Sequence, residues 1–181
     1  MNKDNFFFKE LDIPNYESVL SEIQRFYMAN NPVEDRSQFS HISAGLLEAN
    51  SPNLAQWLRD YNLQLRVAAI IRTPSGNVNI VPHVDTQTND LAINFPVVNC
   101  SDCWTGFYQL TGGEKITKVL PNRLTYVNFS SDATFEEVSR FVLTKPTIFN
   151  TKQPHAVVNP TNNVRIAASL RFVRDPWELT E

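Results

Sequence analysis

From Leu63 onward the chain breaks into short runs rich in Val, Ile, Phe, Tyr and Thr, separated by "PSGN", "TQTND", "NCSD", "TGGE" and "PN". Turn residues at that density are the punctuation of short strands joined by tight connections. The runs predict strands near 64–72, 78–85, 90–98, 105–110, 115–120, 123–129, 153–158 and 164–172, with a helix at "ATFEEVSRFVL" (133–143) inserted before the last two. The first sixty residues read differently. In "NYESVLSEIQRFYMAN" (15–30), Val19, Leu20, Ile23, Phe26 and Tyr27 recur at helical spacing behind Pro14 and Asn15. "SPNLAQWLRDYN" (51–62) predicts a second helix, with Ser51 as its cap, Pro52 in the first turn, and Leu54, Trp57, Leu58 and Tyr61 on one side.

Short strands behind a helical layer predict a mainly β protein with N-terminal helices. Its core would be two antiparallel sheets face to face, as in a jelly roll or cupin-like barrel, with the helices against one outer face. The 181 residues suit one domain over 1–181, with a helical support region at 1–62 and the β core at 63–175. An apolar fraction of 42% against 19% charged residues supports a packed interior. A net charge of −3, with no Lys/Arg cluster longer than a pair, leaves nothing to grip a phosphate backbone, so no nucleic-acid partner is expected. The longest aliphatic run, "VAAII" (67–71), is far shorter than the ~20 residues of a membrane span, and "MNKDNFFFKELDIP" lacks the apolar segment of a secretory signal. A cytoplasmic protein with no membrane partner is the expectation. Cys100 and Cys103 form a lone C-x-x-C without a second pair or a nearby His, and read as two reduced cysteines rather than a zinc site.

Of the three histidines, one lies in "PHVDT". Side chains alternate along a strand, so His83 and Asp85 share a face with Cα atoms roughly 6.5 Å apart, close enough to hold one ion together. One further His would complete the two-His, one-carboxylate facial triad that leaves open positions on iron. His155, in "NTKQPHAVVNP", is the candidate third ligand. Both histidines follow a proline, Pro82 and Pro154, a residue confined to strand starts, edges and bulges. Ten residues past His155, Arg165 opens "VRIAASLRFV", whose alternate face of Ile166, Ala168, Leu170 and Phe172 is apolar. An arginine at the start of such a strand needs an anion, and its planar fork suits a carboxylate. Arg171, further along the same face, is the rival for that role.

This order, H-x-D, distal His, then Arg, resembles the iron(II)- and 2-oxoglutarate-dependent oxygenases, over roughly residues 64–172. The resemblance implies a double-stranded β-helix core, with His83, Asp85 and His155 as Fe(II) ligands and Arg165 as the anchor for the far carboxylate of 2-oxoglutarate. "HVDTQTNDLAINFPV" is similar in finer detail to the aspartyl/asparaginyl β-hydroxylase branch. In that branch a proximal His is followed, at the spacing of His83 to Pro96, by a His-apolar-Pro-apolar strand end. Here the strand reads Asn94-Phe95-Pro96-Val97, so Asn94 stands where the branch binds its co-substrate with His, and Ala92 where it carries Arg. Ala167 replaces the Ser that many members place two residues after the anchor. The resemblance thus implies a dioxygenase using O2 to hydroxylate a C–H bond of an amino-acid side chain, free or in a peptide, or of a small metabolite. Retention of Asp85 favours hydroxylation over halogenation. The alternatives are a cupin-like metal-binding protein or isomerase indifferent to Arg165, and an inactive structural or interaction protein.

Overall fold

The structure is a computed structural model and describes residues 5–30, 38–78, 81–85, 89–119 and 125–181. In chain order its elements are β1 (Phe8–Glu10), α1 (Tyr16–Asn30), β2 (Gln38–Ile42), α2 (Ala44–Asn50), α3 (Pro52–Asp60), β3 (Leu65–Thr73), β4 (Leu91–Val98) and β5 (Trp104–Gly112). There follow β6 (Lys115–Val119), β7 (Thr125–Phe129), β8 (Thr134–Val142), β9 (Thr147–Asn150), β10 (His155–Val158), β11 (Arg165–Phe172) and a closing 3-10 turn at Trp177–Thr180. Among the described residues no helix is long and apolar enough to cross a membrane.

A six-stranded antiparallel sheet runs β1-β9-β4-β11-β3-β2, and a three-stranded one runs β10-β5-β8; β6 and β7 pair as a separate hairpin. From β8 to β11 successive strands alternate between the two large sheets, as in a jelly roll. The first sixty residues do more than support this core, because β1 and β2 form the two edges of the larger sheet. Strand alternation splits that sheet's side chains into two layers. Ile166, Ala168, Leu170 and Phe172 of β11 join Leu91, Ile93 and Phe95 of β4 and Ile148 of β9 on the outer face, where Val19, Ile23 and Tyr27 of α1 and Leu54, Trp57 and Leu58 of α3 cover them. The inner layer is smaller: Ala92, Cys100, Phe107, Phe141, Leu143, Phe149 and Ala167. "FFF" near the N-terminus joins the two, Phe6 packing in the outer core and Phe7 and Phe8 against the inner one.

Several local expectations are corrected. The segment 133–143 is strand, not helix: Phe135, Glu137, Ser139 and Phe141 are more buried than their neighbours, and β8 pairs along its length with β5. Its sequence satisfies both periods, since Phe135, Val138 and Val142 also fall at helical spacing, and tertiary pairing decided between them. The predicted strand at 78–85 shows only isolated bridges at His83 and Val84, with 79–80 outside the described residues, as are 120, 123 and 124 of the strands predicted at 115–120 and 123–129. β1, β2, α2 and β9 lacked a periodic signal of sufficient length. Ser51 occupies the N-cap position of α3 but makes no side-chain cap bond; the buried Glu22 carboxylate of α1 instead accepts the Asn53 N–H at 3.0 Å. A negative group there suits the positive end of the helix. Cys100 and Cys103 are free, buried thiols that donate to Ile166 O and Asn159 Oδ1, each at 3.1 Å, and burial pushes the Cys103 thiol up.

Candidate metal centre

His83 and His155 are 72 residues apart in the chain, yet form a direct cross-strand pair. Each backbone N–H donates to the other's carbonyl at 2.9 Å, which places both imidazoles on one face with ring centroids 4.6 Å apart. Pro82 and Pro154, lacking a donor, precede the two residues that make this exchange. Asp85 follows on the same side, its N–H donating to Thr151 O at 3.0 Å and its own carbonyl accepting Lys152 Nζ at 3.0 Å. One ligand atom from each of His83, Asp85 and His155 lies within 4.8 Å of the others. A nitrogen and oxygen donor set so spaced suits a divalent first-row metal.

The three candidate donors differ in environment. His155 is 4% exposed and packs against Phe149 and Phe107, with centroids at 5.5 and 6.3 Å, whereas the His83 side chain is 48% exposed. The cluster is therefore sealed from the inner core side and open on the His83 side. His155 Nδ1 lies 2.9 Å from Gln153 O. A proton donated there leaves Nε2 free as a ligand and fixes the ring. Burial and the neighbouring His83 pull the His155 pKa down to about 4 against opposition from Asp85. Burial pushes the Asp85 carboxyl up, but Arg171, His155 and His83 outweigh it and hold it below its ordinary value. Around neutral pH both groups are in the state that binds a metal.

The His155 shift has a consequence for stability. The unfolded chain, with an ordinary imidazole at 6.5, binds the proton before the folded one does. Stability is thus full above pH 6.5 and declines as pH falls through the window down to 4. The loss is on the order of 3 kcal/mol at about 1.4 kcal/mol per unit. Thermal melts of the metal-free protein between pH 7 and 4.5 should show this decline, and His155→Gln should remove most of it.

The inner face of β11 carries Arg165, Ala167, Ser169 and Arg171. Arg165 is 1% exposed, and its Nε and Nη2 have no hydrogen-bond partner. Asn94 lies directly opposite Ser169, both buried, and Asn94 Oδ1 and Ser169 Oγ are unpartnered too. From the facing sheet Thr105, paired with Val157 two residues beyond His155, adds another unpartnered buried hydroxyl. Buried polar atoms are seldom left unsatisfied, and a cationic fork without an anion costs most. Together they fit a polar, carboxylate-bearing molecule between the sheets. Arg171 donates through Nη2 to Asp85 Oδ2, while its Nη1 is buried without a partner.

The contact between Arg171 and Asp85 and the Gln153 carbonyl behind His155 were not expected from sequence. Strand alternation already put Arg171 on the Arg165 face, but its partner is 86 residues away. Trp104 and Tyr108 share the opposite, outer face of β5, where Arg140 lies over the Trp104 ring at 5.1 Å and Tyr108 Oη donates to Glu137 Oε2 at 3.2 Å. His41, paired with Ala69 on the edge strand β2, is not part of the metal-donor cluster.

No protein-family model matches the chain, and no curated protein matches it in sequence. Solved structures do match in fold. SnoK, a non-heme α-ketoglutarate-dependent carbocyclase from nogalamycin biosynthesis, aligns with a TM-score of 0.51 at 10% identity, covering 93% of this chain and 80% of SnoK. A prolyl-4-hydroxylase from Pseudomonas putida aligns at 0.43 and 15% identity, covering 94% of each chain. The viral collagen prolyl hydroxylase of Paramecium bursaria Chlorella virus-1 aligns at 0.43 and 11%, covering 94% of this chain and 97% of that one. The match to SnoK shows that this chain has the same fold.

Proposed function

We propose that the protein is an Fe(II)- and 2-oxoglutarate-dependent dioxygenase that hydroxylates an unactivated C–H bond of an amino-acid side chain, free or in a peptide, or of a small metabolite. The observation that carries this reading is the pairing, on one double-stranded β-helix, of a His-Asp-His donor cluster within 4.8 Å with a fully buried arginine holding two unpartnered nitrogens. The first supplies a metal site and the second an anion site.

His83, Asp85 and His155 would hold the iron. Bound there, iron and 2-oxoglutarate supply the O2-dependent oxidation of a C–H bond, with the keto acid leaving as succinate and carbon dioxide. The protein's part is placement and exclusion. Arg165 takes the far carboxylate by a charge-assisted fork, and Asn94, Ser169 and Thr105 supply polar contacts along its length. Gln153 O fixes the ligating tautomer of His155, while Phe107 and Phe149 keep water from its buried flank. The half-exposed His83 leaves the substrate a way in. The likeness to the aspartyl/asparaginyl β-hydroxylase branch rests on the His83-to-Pro96 spacing and supports an amino-acid side chain as substrate; Ala92 and Asn94 are departures from it.

The test is an anaerobic titration with Fe(II) and then 2-oxoglutarate, watching for the visible charge-transfer absorption of a chelated keto acid. A saturable band supports the reading. Iron binding without the band favours a cupin-like protein that does not use the keto acid. No iron binding leaves an inactive scaffold.

A further inference from the structure

We propose that Arg171 is the positioning residue of the metal-binding carboxylate, occupying one oxygen of Asp85 so that only the other is presented to the metal. This rests on the iron-site reading above. Besides His155 in the donor cluster, the Asp85 carboxylate meets Arg171, which takes Oδ2, and His83, whose Nε2 lies 3.6 Å from Oδ1. Lys152 Nζ donates to the Asp85 backbone carbonyl at 3.0 Å. Oδ1 therefore faces the donor cluster while Oδ2 is held behind it.

The holding group is itself fixed. The Arg171 side chain is 7% exposed and rises from the inner face of β11, which is hydrogen-bonded to β3 on one side and β4 on the other. A carboxylate free to rotate can chelate through both oxygens, which uses a position that an open facial triad must keep clear. Occupying Oδ2 with a planar donor prevents that rotation and aims one lone pair. The two arginines differ in role: Arg171 holds Asp85 through Nη2 and keeps one buried unpartnered nitrogen, Nη1, whereas Arg165 has two unpartnered nitrogens and, among the described residues, no carboxylate partner. An arginine this close to a dication also repels it, so a purely electrostatic Arg171 would weaken metal binding and leave the geometry alone. Positioning and repulsion thus predict different spectra.

Cobalt(II) is the probe, because its visible d–d bands report coordination number and geometry without turnover. Arg171→Met, which keeps the bulk and removes the donor and charge, is expected to shift these bands and lower their intensity as Oδ2 becomes free to coordinate. Arg171→Lys, which keeps a charged donor for Oδ2 but loses the planar guanidinium, should return the bands toward those of the parent protein. If the methionine variant does not fold, the lysine variant carries the same test at smaller amplitude, with bands displaced from the parent. Unshifted bands in the folded variants, with cobalt affinity raised or unchanged, would show that Arg171 only repels the cation and overturn the proposal. A parent protein that binds no cobalt overturns the iron-site reading, and this proposal with it.

Discussion

His155→Ala should abolish tight Fe(II) binding while leaving the fold intact. The substitution removes one of three donors at a position where the surrounding side chains, Phe107 and Phe149, are apolar and offer no replacement. Loss of groups that merely orient a ligand costs about 10–100-fold in metal affinity, so loss of a ligand should exceed about 100-fold. The measurement is anaerobic equilibrium dialysis against Fe(II), with a thermal melt alongside; binding equal to the parent protein would sink the triad. Asp85→Ala should lose the metal as well, but is the poorer experiment. It strands the Arg171 guanidinium, almost fully buried, without its partner. Breaking a buried pair from one side costs about 3–5 kcal/mol, enough to confuse lost binding with lost folding.

Arg165→Gln should give the opposite pattern, with metal retained and 2-oxoglutarate lost. Glutamine fills much of the same space and can still donate a hydrogen bond, but lacks the charge and the fork. Truncating one side of a buried charged pair costs about 2–5 kcal/mol in binding, so the 2-oxoglutarate dissociation constant should rise on the order of 100-fold. The charge-transfer band formed on adding the keto acid to the iron-loaded protein reads this directly. The variant itself should be no less stable than the parent, because a buried cation without a partner has been replaced by a neutral group. If Arg165→Gln saturates at the parent's 2-oxoglutarate concentration, the anion site has been misassigned.

Elements whose own residues settle the choice were readable in the sequence. β3, β4 and β11 carry long apolar runs, and α1 and α3 repeat at helical spacing. Segment 133–143 was not readable, because its apolar residues fit both periods and only β5, across the sheet, selects strand. β9 is four residues long, too short for any periodicity, and is strand because β1 and β4 flank it. The site divides the same way. H-x-D places two side chains on one face by local geometry alone, and ten residues relate His155 to Arg165. That Arg171 would meet Asp85, or that Gln153 would brace His155, depends on strand register and a backbone carbonyl that no side-chain pattern encodes.

The reciprocal bonds between His83 and His155 make the peptide groups of the two histidines a built-in gauge of the centre. Each amide hydrogen is held by the other residue's carbonyl, in a bridge that stands isolated on the His83 side. In the metal-free protein that bridge should open locally and exchange its hydrogens faster than the amides of β11. An ion shared by the two side chains would have to be released before the bridge could part. Deuterium uptake at these two backbone positions should therefore slow with metal occupancy, reporting loading at the backbone with no substrate needed.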